Sequence, residues 1–240
     1  MRIICAHTSS SSVWSTRAKA VIHNACIWRA LNHPHILPFI GLATLDSVIY
    51  MVSPWMINGN AVDYVRYNPS ADRLRLLAQA GEGIKFLHNL RPGVVHGDIR
   101  GVNVLISDSG DACIADFSLP YIDESGMFSH FNESKQERNW AWAAPELLNG
   151  DVGSSSWSTD VFSFGRLIYE INTGREPFYE LPRSAVFNAI IKGRKLERHE
   201  GMALTDVVWA LIEECCQTCP DSRPLMDIIV SRLWKAQYSQ

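Results

Sequence analysis

Between two apolar runs the chain carries His96-Gly97-Asp98-Ile99-Arg100-Gly101-Val102-Asn103, and a third apolar run ends in Asp116-Phe117-Ser118. Short strands are expected at Val94–His96, Val104–Ile106 and Ala112–Ala115, the last two joined by the turn Ser107-Asp108-Ser109-Gly110. Two acids and an amide at strand ends can converge on one point. Such convergence makes the oxygen-rich surroundings that Mg²⁺ and phosphate groups need. Taken singly, Asp98, Asn103 and Asp116 are more simply turn residues, since Asp and Asn are common in turns. Their order and spacing have to carry any further reading.

Around this stretch the periodicity changes. Upstream, Thr16–Asn32 has helical spacing, with Val21, Ile22, Ile27, Trp28 and Leu31 as its apolar stripe, and His33-Pro34 ends it. Ile36–Leu42 and Val48–Trp55 read as adjacent strands about the polar turn at Asp46. Asn58-Gly59-Asn60 signals a turn before a short helix near Ala61–Tyr67. Asp72–Leu90 is the clearest helix, with Leu74, Leu77, Ile84 and Leu87 on one face and Asp72 as its cap. Pro120 to Asn139 is polar and aperiodic, which reads as a long loop. Beyond Trp157 helices are expected over Thr159–Thr173, Arg183–Lys192, Thr205–Gln217 and Leu225–Lys235.

Composition narrows the function classes. The net charge of −3 argues against a nucleic-acid or general polyanion binder. No apolar run approaches the roughly 20 residues of a membrane span, so a soluble, cytoplasmic protein is expected. Six cysteines are present, and Cys216 and Cys219 form a CxxC. A second ligand pair or a thioredoxin-like context is not visible, so metal or redox chemistry is set aside.

The central stretch resembles the catalytic loop of protein kinases, H-R-D-L-x-x-x-N, followed by D-F-G. Trp142-Ala143-Ala144-Pro145-Glu146 resembles their A-P-E segment, and Ser158-Thr159-Asp160-Val161-Phe162-Ser163-Phe164-Gly165 their helix whose Asp braces the catalytic loop. Cys215 through Arg223-Pro224 resembles the C-x-x-x-x-P-x-x-R-P signature, which also accounts for the CxxC. These matches run in order over Asn24–Leu233. His33-Pro34-His35-Ile36-Leu37-Pro38-Phe39 and the His-Gly-Asp loop resemble the tyrosine-kinase-like branch.

The resemblance implies an α+β, two-lobed kinase-like fold. Residues 1–240 would form one domain, 1–55 a partial N-lobe and hinge and 56–240 a complete helical C-lobe. It implies ATP and Mg²⁺ as cofactors and a protein substrate or signalling partner. By position, Asp98 would orient or deprotonate the substrate hydroxyl, and Asn103 and Asp116 would hold Mg²⁺. Arg100 would approach the transferred phosphate. Ser53-Pro54-Trp55-Met56 would be the hinge that meets adenine, Met56 included. Glu146 and Arg223 would form a buried structural ion pair, and Asp160 would brace the loop.

Four features, and more mildly a fifth at Gly97, depart from the family pattern. No G-x-G-x-x-G precedes the first helix, and no V-A-I-K is present, Met1–His7 lying where that strand is expected. Lys19 is more simply a solvated charge. Asn24 stands near the place of the helix Glu, and Ser118 replaces the third residue of D-F-G, where Gly permits positive φ. Gly97 replaces the loop Arg, so a phosphorylated activation loop would lack that docking partner. The N-lobe therefore reads as cut short, which would leave the strand near Ile3–Ala6 at a bare sheet edge open to pairing. Tyr121, Ser125, Ser129 and Ser134 fall in the expected activation loop. An active kinase for Ser/Thr or Tyr hydroxyls and a pseudokinase scaffold both stay open.

Overall fold

Four helices of this protein start on side chains that accept the first unpaired backbone N–H groups. The computed structural model describes residues 2–5, 13–46, 48–116, 121–122, 128–129, 140–150, 155–198 and 204–238. In chain order the strands are β1 (Arg2–Cys5), β2 (Gly41–Leu45), β3 (Val48–Ser53), β4 (Val104–Ile106), β5 (Ala112–Ile114), β6 (Tyr121–Ile122) and β7 (Phe128–Ser129). The α-helices are α1 (Val13–Ala30), α2 (Ala61–Tyr67), α3 (Arg73–Asn89), α4 (Pro145–Leu148), α5 (Trp157–Thr173), α6 (Arg183–Ile191), α7 (Asp206–Cys215) and α8 (Met226–Gln237). Asn60 accepts from Asp63 N to open α2, Asp72 from Arg75 N to open α3, and Thr205 from Val208 N to open α7. Ser156 and Thr159 form a reciprocal capping box on α5, and Gly174, at φ 67°, closes it in the left-handed conformation.

The N-terminal part is a three-stranded antiparallel sheet of order β1-β3-β2, with α1 beside it. β1 occupies one edge of that sheet. In α1, Val21, Ala25 and Trp28 are buried, as is Leu31 just past its end, whereas Ile22, expected in the stripe, is half exposed. The 3.6-residue period explains this, because 21, 25 and 28 share a face that residue 22 leaves by about a quarter turn. The Trp28 indole donates to Leu37 O, anchoring the connection that follows the helix.

The C-terminal part is helical. α5 is buried along almost its whole length, and α3, α7 and α8 pack around it through Leu77, Ile84, Phe164, Leu167, Leu211, Ile229 and Leu233. A small antiparallel sheet followed by a helical lobe is the α+β arrangement that the resemblance implies. The β4–β5 hairpin lies against α3, where Arg75 and Gln79 both donate to Asp111 and Gln79 accepts from Ala112 N.

Three strand expectations need correction. Val94–His96 is not a strand, because its donors are used elsewhere: Val94 N bonds Leu87 O, and His96 N bonds the Asp160 carboxylate. The strand placed at Ile36–Leu42 begins at Gly41. Ile36 instead bridges Ile114 in parallel, with Leu37 N donating to Ile114 O and Ile114 N to His35 O. Within the stretch read as a loop, β6 and β7 pair in antiparallel fashion. Phe117, Ser118, Ser125, Ser134 and the side chain of Lys19 lie outside the described residues.

Candidate active site

His96 builds the floor of the site. Its ring sits fully inside, with Nδ1 accepting from Asp98 N at 3.2 Å and Nε2 facing Ala115 O at 3.1 Å. That pair of contacts puts the proton on Nε2, which donates to the carbonyl. Gly97 takes φ 78°, a conformation that glycine adopts without the steric cost a side chain brings. The turn aims His96 N and Gly97 N at the two oxygens of Asp160, each at 2.8 Å, and His88 Nε2 reaches Asp160 Oδ2 at 2.9 Å. The buried Asp160 carboxylate thus ties α5 and α3 to the 96–98 loop.

Above that floor, Asn103 Nδ2 donates to both Asp98 O (2.8 Å) and Asp98 Oδ2 (2.9 Å). Arg100 Nε lies 3.1 Å from Asp98 Oδ1, an ion pair by distance whose N–H is not aligned as a hydrogen bond. Ala115 N donates to Asn103 O at 2.9 Å, so the residue before Asp116 is bonded to both His96 and Asn103. Asp116 itself has φ 60°, a left-handed conformation that Asp tolerates better than most residues and that concentrates at functional sites. The backbone therefore ties the residue before Asp116 to the loop that carries Asp98 and Asn103.

This donor set suits Mg²⁺. With its Nδ2 committed to Asp98, Asn103 would offer a cation its Oδ1 as a hard oxygen, and Asp116 would offer a carboxylate. Among the described residues no group of three or more His, Cys, Asp or Glu could enclose a metal ion. A site with few protein oxygens fits a cation that takes the rest of its shell from phosphate and water.

One residue that the sequence reading left without a role, Glu170, holds the loop from beneath. Glu170 Oε2, on α5, accepts from Gly101 N at 2.8 Å and from the Trp142 indole at 3.0 Å. Burial pushes the Glu170 carboxyl up to about 7, against the two donors, which pull it down. Gly101 is required here, since a Cβ would come within 2.4 Å of Val62 Cγ2 and 3.1 Å of Glu170 Oε2. The signal for Glu170 was a carboxylate inside the apolar run Leu167-Ile168-Tyr169-Glu170-Ile171.

Farther away, Glu146 and Arg223 form a bidentate pair, Nη1–Oε1 2.6 Å and Nη2–Oε2 2.8 Å. Arg223 also donates to the carbonyls of Gln217, Ser158 and Thr218. Met56 follows β3 and the buried Ser53; its carbonyl accepts from Gly59 N at 3.1 Å, and its side chain packs on the core. Asn24 lies in α1 with a buried Oδ1 that has no hydrogen-bond partner among the described residues. Cys216 and Cys219 are free thiols.

Comparison with known proteins agrees with this geometry. The family model described as protein tyrosine and serine/threonine kinase matches residues 6–233. A putative serine/threonine-protein kinase/receptor of Acanthamoeba polyphaga mimivirus is 32% identical over 213 residues, covering 85% of this chain and 12% of that protein. Human serine/threonine-protein kinase TNNI3K is 27% identical over 212 residues, covering 85% of this chain and 24% of that protein. A probable serine/threonine-protein kinase of Dictyostelium discoideum is 24% identical over 227 residues, 92% of this chain and 13% of that protein. The chain thus spans a quarter or less of the length of these relatives. With the matched residues taking in the loop, the bracing helix and the buried ion pair alike, the chain belongs to the protein tyrosine and serine/threonine kinase family.

Proposed function

We propose that this domain binds ATP with Mg²⁺ and transfers the γ-phosphoryl group to a Ser or Thr hydroxyl of a protein. The observation that carries the reading is the Asp98 carboxylate, held between the Asn103 amide and the Arg100 guanidinium. In this role Asp98 receives the proton of the substrate hydroxyl, and the Asn103 bond keeps its oxygen in place through the reaction. Arg100 contributes positive charge beside the acceptor, where negative charge develops. Asn103 Oδ1 and Asp116 hold the metal, and bound Mg²⁺ neutralises charge on the phosphate oxygens. Met56 and its neighbours in the hinge meet the adenine. Asp160, and the Glu146–Arg223 pair, hold the loop and the segment after it. Residues 1–240 act as one domain, 1–55 contributing N-lobe and hinge and 56–240 the C-lobe.

Preference for Ser/Thr over Tyr rests on the names of the three relatives. A cytoplasmic setting suits the exposed free thiols Cys26 and Cys219. Among the described residues no helix is long and apolar enough to cross a membrane.

A second reading, a binding module without turnover, is favoured by Asn24. Its amide oxygen, without a hydrogen-bond partner among the described residues, stands near the place where the family pattern has the Glu that pairs with the strand Lys. Two measurements separate the readings. Titration with ATP and Mg²⁺ is expected to raise the unfolding midpoint as RT ln(1 + [L]/Kd). Phosphoryl transfer to a general protein substrate is expected to fall about 10²–10⁴-fold in Asp98→Asn while the ATP-dependent stabilisation persists. No stabilisation at millimolar nucleotide refutes the kinase reading. Stabilisation with no transfer, in the parent protein as in the variant, establishes the binding module.

A further inference from the structure

Arg166 stands in the middle of α5, in the run Phe164-Gly165-Arg166-Leu167-Ile168, and is only 3% exposed. Its guanidinium is stacked between two rings, 5.0 Å from the Phe162 centroid and 4.6 Å from that of Phe178. Phe178 holds its position at φ 60°, a left-handed conformation that is a strained one for an aromatic residue. The ring faces attract the cation but offer no acceptor, and Arg166 Nε and Nη1 are buried without a hydrogen-bond partner among the described residues. Among the described residues the polar groups that act on its charge are Cys216 and Tyr169. Burial pushes its pKa down, but a guanidinium stays protonated in proteins, so deprotonation does not relieve the charge. A buried cation needs a counter-charge or acceptors. Arg223 has both; among the described residues Arg166 Nε and Nη1 have neither.

Arg166 also lines a cavity of about 40 Å³, walled by Pro145, Phe162, Arg194, Lys195 and Glu213 among others. That space exceeds what one water needs and has room for a tetrahedral oxyanion. At the rim, Arg194 is already paired with Glu180 and Glu197, and Lys195 makes no ion pair among the described residues. Glu213 is exposed and supplies the one carboxylate among the lining residues. The lining thus keeps a net positive charge, with an unsatisfied donor group at its inner wall.

We propose that this cavity, beneath the Pro145–Leu148 helix and apart from the Asp98 cluster, is a binding site for a small phosphate oxyanion, with Arg166 as the inner donor and Lys195 at the mouth. A planar guanidinium presents paired N–H groups that match two phosphate oxygens. The ion comes from solution as inorganic phosphate or as the phosphoryl group of a modified side chain. Occupancy would join α4, α5, α6 and α7 through one anion.

The test is thermal unfolding of the full chain in inorganic phosphate against chloride at matched ionic strength, with Arg166→Met and Lys195→Ala alongside. In the parent protein phosphate is expected to raise the midpoint in a saturating manner. Arg166→Met loses that response, and Lys195→Ala weakens the apparent affinity several-fold. Without phosphate, Arg166→Met is expected to be at least as stable as the parent, because the unpaired charge is gone while the stem volume is kept. O-phosphoserine in place of phosphate identifies the source: tighter binding assigns a modified side chain, weaker binding the free ion. Absence of a phosphate-specific response overturns the proposal, as does a response unchanged in both variants. Should Arg166→Met fail to fold, Lys195→Glu decides, because it must abolish the response if the mouth is placed correctly.

Discussion

Replacing Glu170 by Gln should change the pH dependence of stability in a way the structure specifies. Glu170 is 3% exposed and lies under the loop, bonded to Gly101 and Trp142. Its carboxyl has an ordinary value of 4.5 and is raised to about 7 in the folded protein, chiefly by burial. The folded state therefore holds a proton that the unfolded chain releases between those two values. Stability from this group is complete below pH 4.5 and is lost as pH rises through about 7. A rise of that size corresponds to about 3 kcal/mol between the limits. Gln presents a carbonyl oxygen able to accept from both Gly101 N and the Trp142 indole, so the contacts survive while the titration disappears. Urea unfolding of both proteins from pH 5 to pH 8 isolates the effect, because all other titrating groups are common to the pair. The expected result is a difference that shifts by about 2–3 kcal/mol in favour of Glu170→Gln across this range. A constant difference at every pH would refute the reasoning, since the carboxylate would then carry no burial penalty.

Two further substitutions probe the frame. Arg223→Met strands Glu146 and removes the partner of three carbonyls, so unfolding free energy should fall by about 3–5 kcal/mol by urea titration, and Glu146→Leu added to it should restore much of the loss. Asp160→Asn leaves one oxygen for three donors, which should cost about 1–3 kcal/mol and lower phosphoryl transfer more than ATP-dependent stabilisation, read by denaturation and by steady-state assay.

What the sequence determined by itself was whatever is encoded locally. Caps at Asn60, Asp72 and Thr205 lie within three residues of the N–H they serve, and α2 begins and ends where the turn and helix signals placed it. Asp98 and Asn103 are only five residues apart, so their order and spacing were visible before any fold. Only the tertiary structure decided which distant groups meet. His88 and Asp160 are 72 residues apart, Gly101 and Glu170 are 69 apart, and nothing in either segment names its partner. The same holds for the false strand at Val94–His96: its apolar run suits a ladder, but Asp160 accepts the N–H of His96 and so ends the pairing. Arg166 and Glu170 are charged residues inside an apolar helix, a pattern present in the sequence that assigns neither of them a role. Whether such a charge meets donors, as Glu170 does, or a cavity between two rings, as Arg166 does, depends on packing, because desolvation and pairing act through space rather than along the chain.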